Sequence, residues 1–138
     1  MVIEHKYFVR GGDFSHAGSA SSQVKKILKQ LGIDPARIKS IVIALYEAEV
    51  NIVAHANEGM IHVLIDKDSI RMILEDRGPG IADIERAMVE GYSTATKEVR
   101  EMGFGAGMGL SNMKRNTDSL EITSQVGIGT TVKMLNYF

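Results

Sequence analysis

A chain of 138 residues, 44% hydrophobic and 24% charged, can build one sizeable core and is ordinary in make-up for a globular protein. A net charge of −1 without any basic run excludes a strong pull toward nucleic acid or an anionic membrane, and the lack of cysteine excludes disulfides and thiolate metal sites. The N-terminus has no apolar signal-peptide core and no stretch approaches the ~20 apolar residues of a membrane span, so a cytoplasmic, non-membrane protein is expected.

Residues 2–10 read as a strand ended by Gly11-Gly12. Asp13 or Ser15 can cap a helix running to about Leu31, with Val24, Ile27, Leu28 and Leu31 on one face and Gly32 as its stop. Asp34-Pro35 opens a second helix, from about Ala36 to Ala56. Met60–Asp66 and Ser69–Glu75 are a hairpin-like strand pair around Lys67-Asp68. Ile81–Glu90 reads as a short helix closed by Gly91, residues 92–108 as a loop, and Gly109–Thr117 as another helix. Leu120–Gln125 and Thr130–Leu135 are the last strands, joined by Val126-Gly-Ile-Gly129. Adjacent strand pairs with helices between them predict one domain over 1–138. Its architecture is a two-layer α/β sandwich: a mixed, mostly antiparallel sheet with helices on one face.

Three islands carry the chemistry. The second helix is apolar around most of its circumference, yet Glu47, Asn51 and His55 interrupt it at steps of four. Such steps drift by only about 40°, so the three form one stripe. A buried carboxylate needs a partner. A divalent cation bridging phosphates is one answer; a satisfied polar stripe or a solvent-facing edge is another. The Asn51 carbonyl suits Mg²⁺, and Glu47 can accept a proton from an attacking hydroxyl or water. Glu49 lies about 200° round from Glu47 and reads as a solvated or structural carboxylate. His55, near the helix C-terminus, reads as structural through the helix dipole.

The second island is Asp76 at a strand end, followed by Gly78 and Gly80. The carboxylate can accept from an exocyclic amine such as that of adenine, and the glycines leave backbone open to a flat ring. The same five residues are also good turn chemistry without any ligand. The third island is the alternate run Gly103, Gly105, Gly107, Gly109 before a helix. Backbone N–H groups and the helix dipole can cradle phosphate there, although a plain hinge would use the same residues. The run fits neither G-x-x-x-x-G-K-[ST] nor G-x-G-x-x-G. Thr130, opening the last strand, can reach a base through Asp76 or a water, or be present only for β-propensity.

In this order, Glu47-x-x-x-Asn51, Asp76-x-Gly78-x-Gly80, Gly103–Gly109 with Leu110, and Gly129-Thr130 resemble the motif boxes of the GHKL ATPases. Through Glu75–Ile84, Gly91-Tyr-Ser-Thr94 and Gly105–Leu110, nearly the whole chain resembles their bacterial anti-sigma-factor serine/threonine kinase family, of the RsbT switch-kinase type. That resemblance implies the Bergerat ATP-binding fold, with Glu47 as catalytic base, Asn51 as Mg²⁺ ligand, Asp76 on adenine and a lid over about 92–109. It also implies ATP with Mg²⁺ as cofactors and phosphorylation of a Ser or Thr on a STAS-domain (anti-anti-sigma-like) partner. A sigma factor or a phosphatase effector would be the second partner. The alternative is a nucleotide-gated binding module with little transfer. A homodimer through the first strand is compatible with its apolar character; so is an inner or capped edge.

Overall fold

A computed structural model of the chain describes residues 2–88 and 109–138. In order they form β1 (Ile3–Arg10), a 3₁₀ turn (Phe14–His16), α1 (Ser19–Gln30), α2 (Pro35–His55), β2 (Glu58–Ile65) and β3 (Ser69–Arg77). After these come α3 (Ile84–Ala87), α4 (Gly109–Arg115), β4 (Ser119–Gln125) and β5 (Gly129–Tyr137). The five strands make one sheet in the order β1-β2-β3-β5-β4, and every neighbouring pair is antiparallel. The expected sandwich is present, with its sheet antiparallel throughout the described strands.

Alternation builds the sheet. In β2, Gly59, Ile61, Val63 and Ile65 are buried while Glu58, Met60, His62 and Leu64 are not. In β3 the same holds for Ile70, Met72 and Leu74, and in β5 for Val132 and Met134. These inward residues share one buried cluster with Ile41, Leu45 and Ile52 of α2, Val24 and Leu28 of α1 and Met113 of α4. Burial of such side chains stabilises by roughly 1.5–3 kcal/mol each, so α2 owes its place to packing on the sheet. Its start was legible: Pro35 is its first residue and the Asp34 carboxylate accepts from Ala36 N at 3.1 Å. The β2–β3 turn is an Asx turn, in which Asp66 Oδ1 accepts from Asp68 N and Ser69 N at 2.8 Å each.

Two helix expectations are corrected. The first helix does not run from Asp13 or Ser15. The chain makes a separate 3₁₀ turn, and the Asp13 carboxylate is occupied by the Ser15 hydroxyl and the His16 ring. Gly18 then turns with φ +92°, a conformation that L side chains rarely adopt, and α1 begins at Ser19 without a side-chain cap of its own. The expected helix over Ile81–Glu90 is a single turn, Ile84–Ala87, capped by the Asp83 carboxylate accepting from Arg86 N; residues 89–90 lie outside the described residues. Gly109–Thr117 is helical to Arg115. No helix among the described residues is long and apolar enough to cross a membrane.

Candidate nucleotide site

Helix α2 packs between α1 and α4, and its polar residues divide between those neighbours. Glu47 and Asn51 meet at Gly109, the first residue of α4. A Cβ on Gly109 would lie 3.2 Å from Asn51 Oδ1 and 3.3 Å from Glu47 Oε2. The first and third islands, 58 residues apart from Asn51 to Gly109 along the chain, therefore touch. Asn112, one turn into α4, donates through Nδ2 to Glu47 Oε1 at 3.2 Å. It accepts in turn from the Arg115 guanidinium at 2.6 Å. Both Glu47 and Asn51 are half-buried, so their oxygens are held in place yet reachable.

Asp76 sits on the helix-facing side of β3, half-buried beside the last strand. Its Oδ1 accepts from Thr130 N at 3.1 Å. The Thr130 hydroxyl is turned elsewhere, pairing with the Ser124 hydroxyl at 2.9 Å. Contact between Thr130 and Asp76 thus runs through backbone rather than through the hydroxyl. Ser124 also accepts from Ile81 N at 2.7 Å and donates to the Gly129 carbonyl. Gly78 N donates to Ile128 O and Gly127 N to Pro79 O. The loop after Asp76 is thereby laced to the β4–β5 turn.

That lacing accounts for several glycines. A Cβ on Gly129 would fall 1.9 Å from the Asp76 carbonyl oxygen, and one on Gly80 would fall 2.5 Å from Gln125 O. At Gly78 it would meet the Ala56 Cα at 2.9 Å. Backbone packing requires these glycines before any ring approaches, so the adenine reading rests on Asp76. Leu110 is buried in the core, which leaves its backbone as the part able to face a ligand. Gly103, Gly105 and Gly107, with Lys97, Arg100 and the remainder of the lid, lie outside the described residues.

Burial pushes the Asp76 carboxyl above its ordinary value, against a smaller lowering by the Thr130 N–H. A carboxyl raised in the fold favours stability only while protonated, below the unfolded value of about 4. That contribution is lost as pH rises through the raised value, so ionised Asp76 weighs against the fold at pH 7. Asp76→Asn keeps an oxygen for Thr130 N and turns the other oxygen into an amide donor. We expect this variant to melt no lower than wild type at pH 7 while ATP binding weakens by about 1–3 kcal/mol. Parallel thermal melts and nucleotide titrations decide it; unchanged ATP affinity would remove Asp76 from the base.

His55 ends the stripe without joining its chemistry. It is half-buried, and desolvation lowers its pKa. Glu49, on the opposite side of α2, is 2% exposed; it is structural and not solvated. Three further residues escaped the sequence reading. Ser124 left a signal, a polar residue in the inward alternation of Leu120 and Ile122. Asn112 left a weaker one, three residues from Gly109 on the same helical face. Ser21, which donates to Glu49, left none.

Among the described residues no three His, Cys, Asp or Glu side chains group to hold a metal. The Glu47–Asn51 pair of hard oxygens fits a Mg²⁺ that takes its remaining ligands from phosphates and water, as that ion commonly does.

Residues 13–135 match the model of the histidine kinase-like ATPase domain. The serine/threonine-protein kinase RsbT of Bacillus subtilis is 33% identical over 120 residues, covering 82% of each chain. An anti-sigma F factor of Thermoanaerobacter sp. is 36% identical over 112 residues, covering 76% of this chain and 75% of that one. In fold, the chain is similar to one in the crystal structure of the SiaB-SiaC complex from Pseudomonas aeruginosa. The TM-score is 0.58 at 10% identity, over 97% of this chain and 89% of that one. By the match over residues 13–135 and these two relatives, the chain belongs to the histidine kinase-like ATPase family, in the branch that holds the RsbT serine/threonine-protein kinase and the anti-sigma F factors.

Proposed function

We propose that this protein is an ATP-dependent serine/threonine kinase of a partner-switching module, which phosphorylates a Ser or Thr of a STAS-domain antagonist protein. The observation that carries this reading is the convergence of Glu47 and Asn51 on Gly109, which sets a carboxylate and a neutral carbonyl oxygen at the end of the glycine run. Asn51 would hold Mg²⁺, which when bound neutralises phosphate charge. Glu47 would take the proton of the acceptor hydroxyl. Asp76, anchored by Thr130, would accept from the adenine amine, and Gly103, Gly105, Gly107, Gly109 and Leu110 would run beside the phosphates. The name of the Bacillus subtilis relative, a serine/threonine-protein kinase, supports transfer to protein.

The names of the anti-sigma F relatives favour a second reading, a nucleotide-gated binder of a sigma factor or phosphatase effector; one protein can do both. A homodimer through β1 belongs to the same proposal: β1 is the last strand at its side of the sheet and shows Phe8 at 58% exposure. Cytoplasmic residence follows from the proposed role. The deciding experiment incubates the protein with Mg-ATP and each STAS-domain protein of its source and reads intact mass. A gain of one phosphate on a Ser or Thr is expected. No gain on any of them, with ATP bound, would replace the kinase by the binding module.

A further inference from the structure

Charge is distributed unevenly along the chain. Residues 19–46 hold five cations, Lys25, Lys26, Lys29, Arg37 and Lys39, against one acid, Asp34. The chain as a whole has a net charge of −1. Asp34 is committed to capping α2. Three of these cations, Lys25, Lys29 and Lys39, come together on α1 and the first half of α2.

Between those two helices runs a groove of about 620 Å³. Its floor is Ile33, Pro35, Ile38, Val42 and Ile43, without a polar side chain among them. Its rim is Lys25 and Lys29, one turn apart on α1, and Lys39 on α2. All three lysines are exposed, and none forms an ion pair among the described residues. Since α1 ends at Gln30 and α2 starts at Pro35, the helices form a short-linked hairpin. A third helix can lie in the furrow such a pair presents.

We propose that this groove docks an acidic amphipathic helix of a partner protein. Apolar side chains at i, i+3 or i+4 and i+7 would fill the Ile/Val/Pro floor, and Asp or Glu beside them would meet the lysine rim. Charge complementarity selects this occupant. A polyanion such as RNA or single-stranded DNA gains little from an aliphatic floor without aromatic platforms. A membrane surface is met by a convex apolar face with cations around it, whereas here the apolar residues lie in a concavity. The groove uses the first half of α2, and Glu47 and Asn51 meet α4 in the second half, so docking and the nucleotide site are separate surfaces. The proposal stands apart from the kinase reading, because it is tested by binding and not by transfer.

A display library of randomised helical peptides, selected on the full chain, supplies the test. Selected peptides should carry Asp or Glu flanking an apolar i, i+3/i+4, i+7 stripe. Their affinity should fall by about tenfold or more with rising salt and in the Lys25→Glu, Lys29→Glu, Lys39→Glu triple variant. ATP binding by that variant should be unchanged. The Lys→Gln triple at the same positions should fall part of the way, removing charge without adding acid. Selection of nothing, of peptides without acidic enrichment, or of peptides that bind the triple variant as well as wild type would overturn the proposal. So would equal competition by polyglutamate, by single-stranded DNA or by phosphatidylglycerol vesicles.

Discussion

Glu47→Ala is expected to remove phosphotransfer to the partner protein while ATP stays bound. The Glu47 carboxylate is half-buried, accepts from Asn112 on one oxygen, and has its other oxygen beside Gly109. A proton acceptor so placed contributes on the order of 10²–10⁴ in rate, so transfer should fall by that factor. Nucleotide affinity should fall little, because Asp76, Asn51 and the backbone of the glycine segment remain. Asn51→Ala is the contrast: it removes the oxygen suited to Mg²⁺ and should weaken Mg-dependent ATP binding itself. Intact-mass assays of the partner beside nucleotide titrations with and without Mg²⁺ separate the two variants. Transfer by Glu47→Ala at the wild-type rate would take the base role from Glu47. Loss of ATP binding in that variant would make Glu47 part of the nucleotide pocket instead.

What the sequence made legible was periodicity and chain chemistry acting over short range. Strand alternation gave the five strands to within a few residues. Asp34-Pro35 marked the start of α2, because a cap and a fixed φ act locally. The stripe of Glu47, Asn51 and His55 followed from helical geometry. The failures share a cause, which is that the deciding partner lies far along the chain. The start of α1 was misplaced because its cap is a carboxylate some thirty residues later. The glycines at 78, 80 and 129 read as ligand or turn chemistry, and the fold adds a packing reason for them: their missing side chains admit Ala56, Gln125 and the Asp76 carbonyl. Ser124 gains its meaning from partners in two other segments, the opening of β5 and, 43 residues back, Ile81 N. In each case the residue type was informative and the tertiary contact fixed its meaning.

Glu49 gives the other large prediction. Replacing it by alanine should lower stability by about 3 kcal/mol or more without touching the nucleotide site. Its Oε2 accepts from Gly18 N at 3.0 Å and Ala20 N at 3.2 Å; its Oε1 accepts from Ser21 N at 3.0 Å and Ser21 Oγ at 2.7 Å. These backbone donors are orphans of the first turn of α1, and no side chain of that turn caps them. The carboxylate also faces the positive end of the helix dipole. One side chain of α2 thus closes α1 and ties the two helices together. Alanine would leave buried N–H groups unpaired and open a void beside Ala20 and Ser21, both buried. Glu49→Gln keeps the volume and one carbonyl but turns an amide toward donors, so an intermediate loss is expected. Urea unfolding of the three proteins measures this, and ATP titration below the melting range checks the site. A loss under about 0.5 kcal/mol in Glu49→Ala would match an ordinary surface substitution and would refute the cap. If both predictions hold, the two glutamates two residues apart divide the work of α2: Glu47 faces α4 and the reaction, and Glu49 faces α1 and the fold.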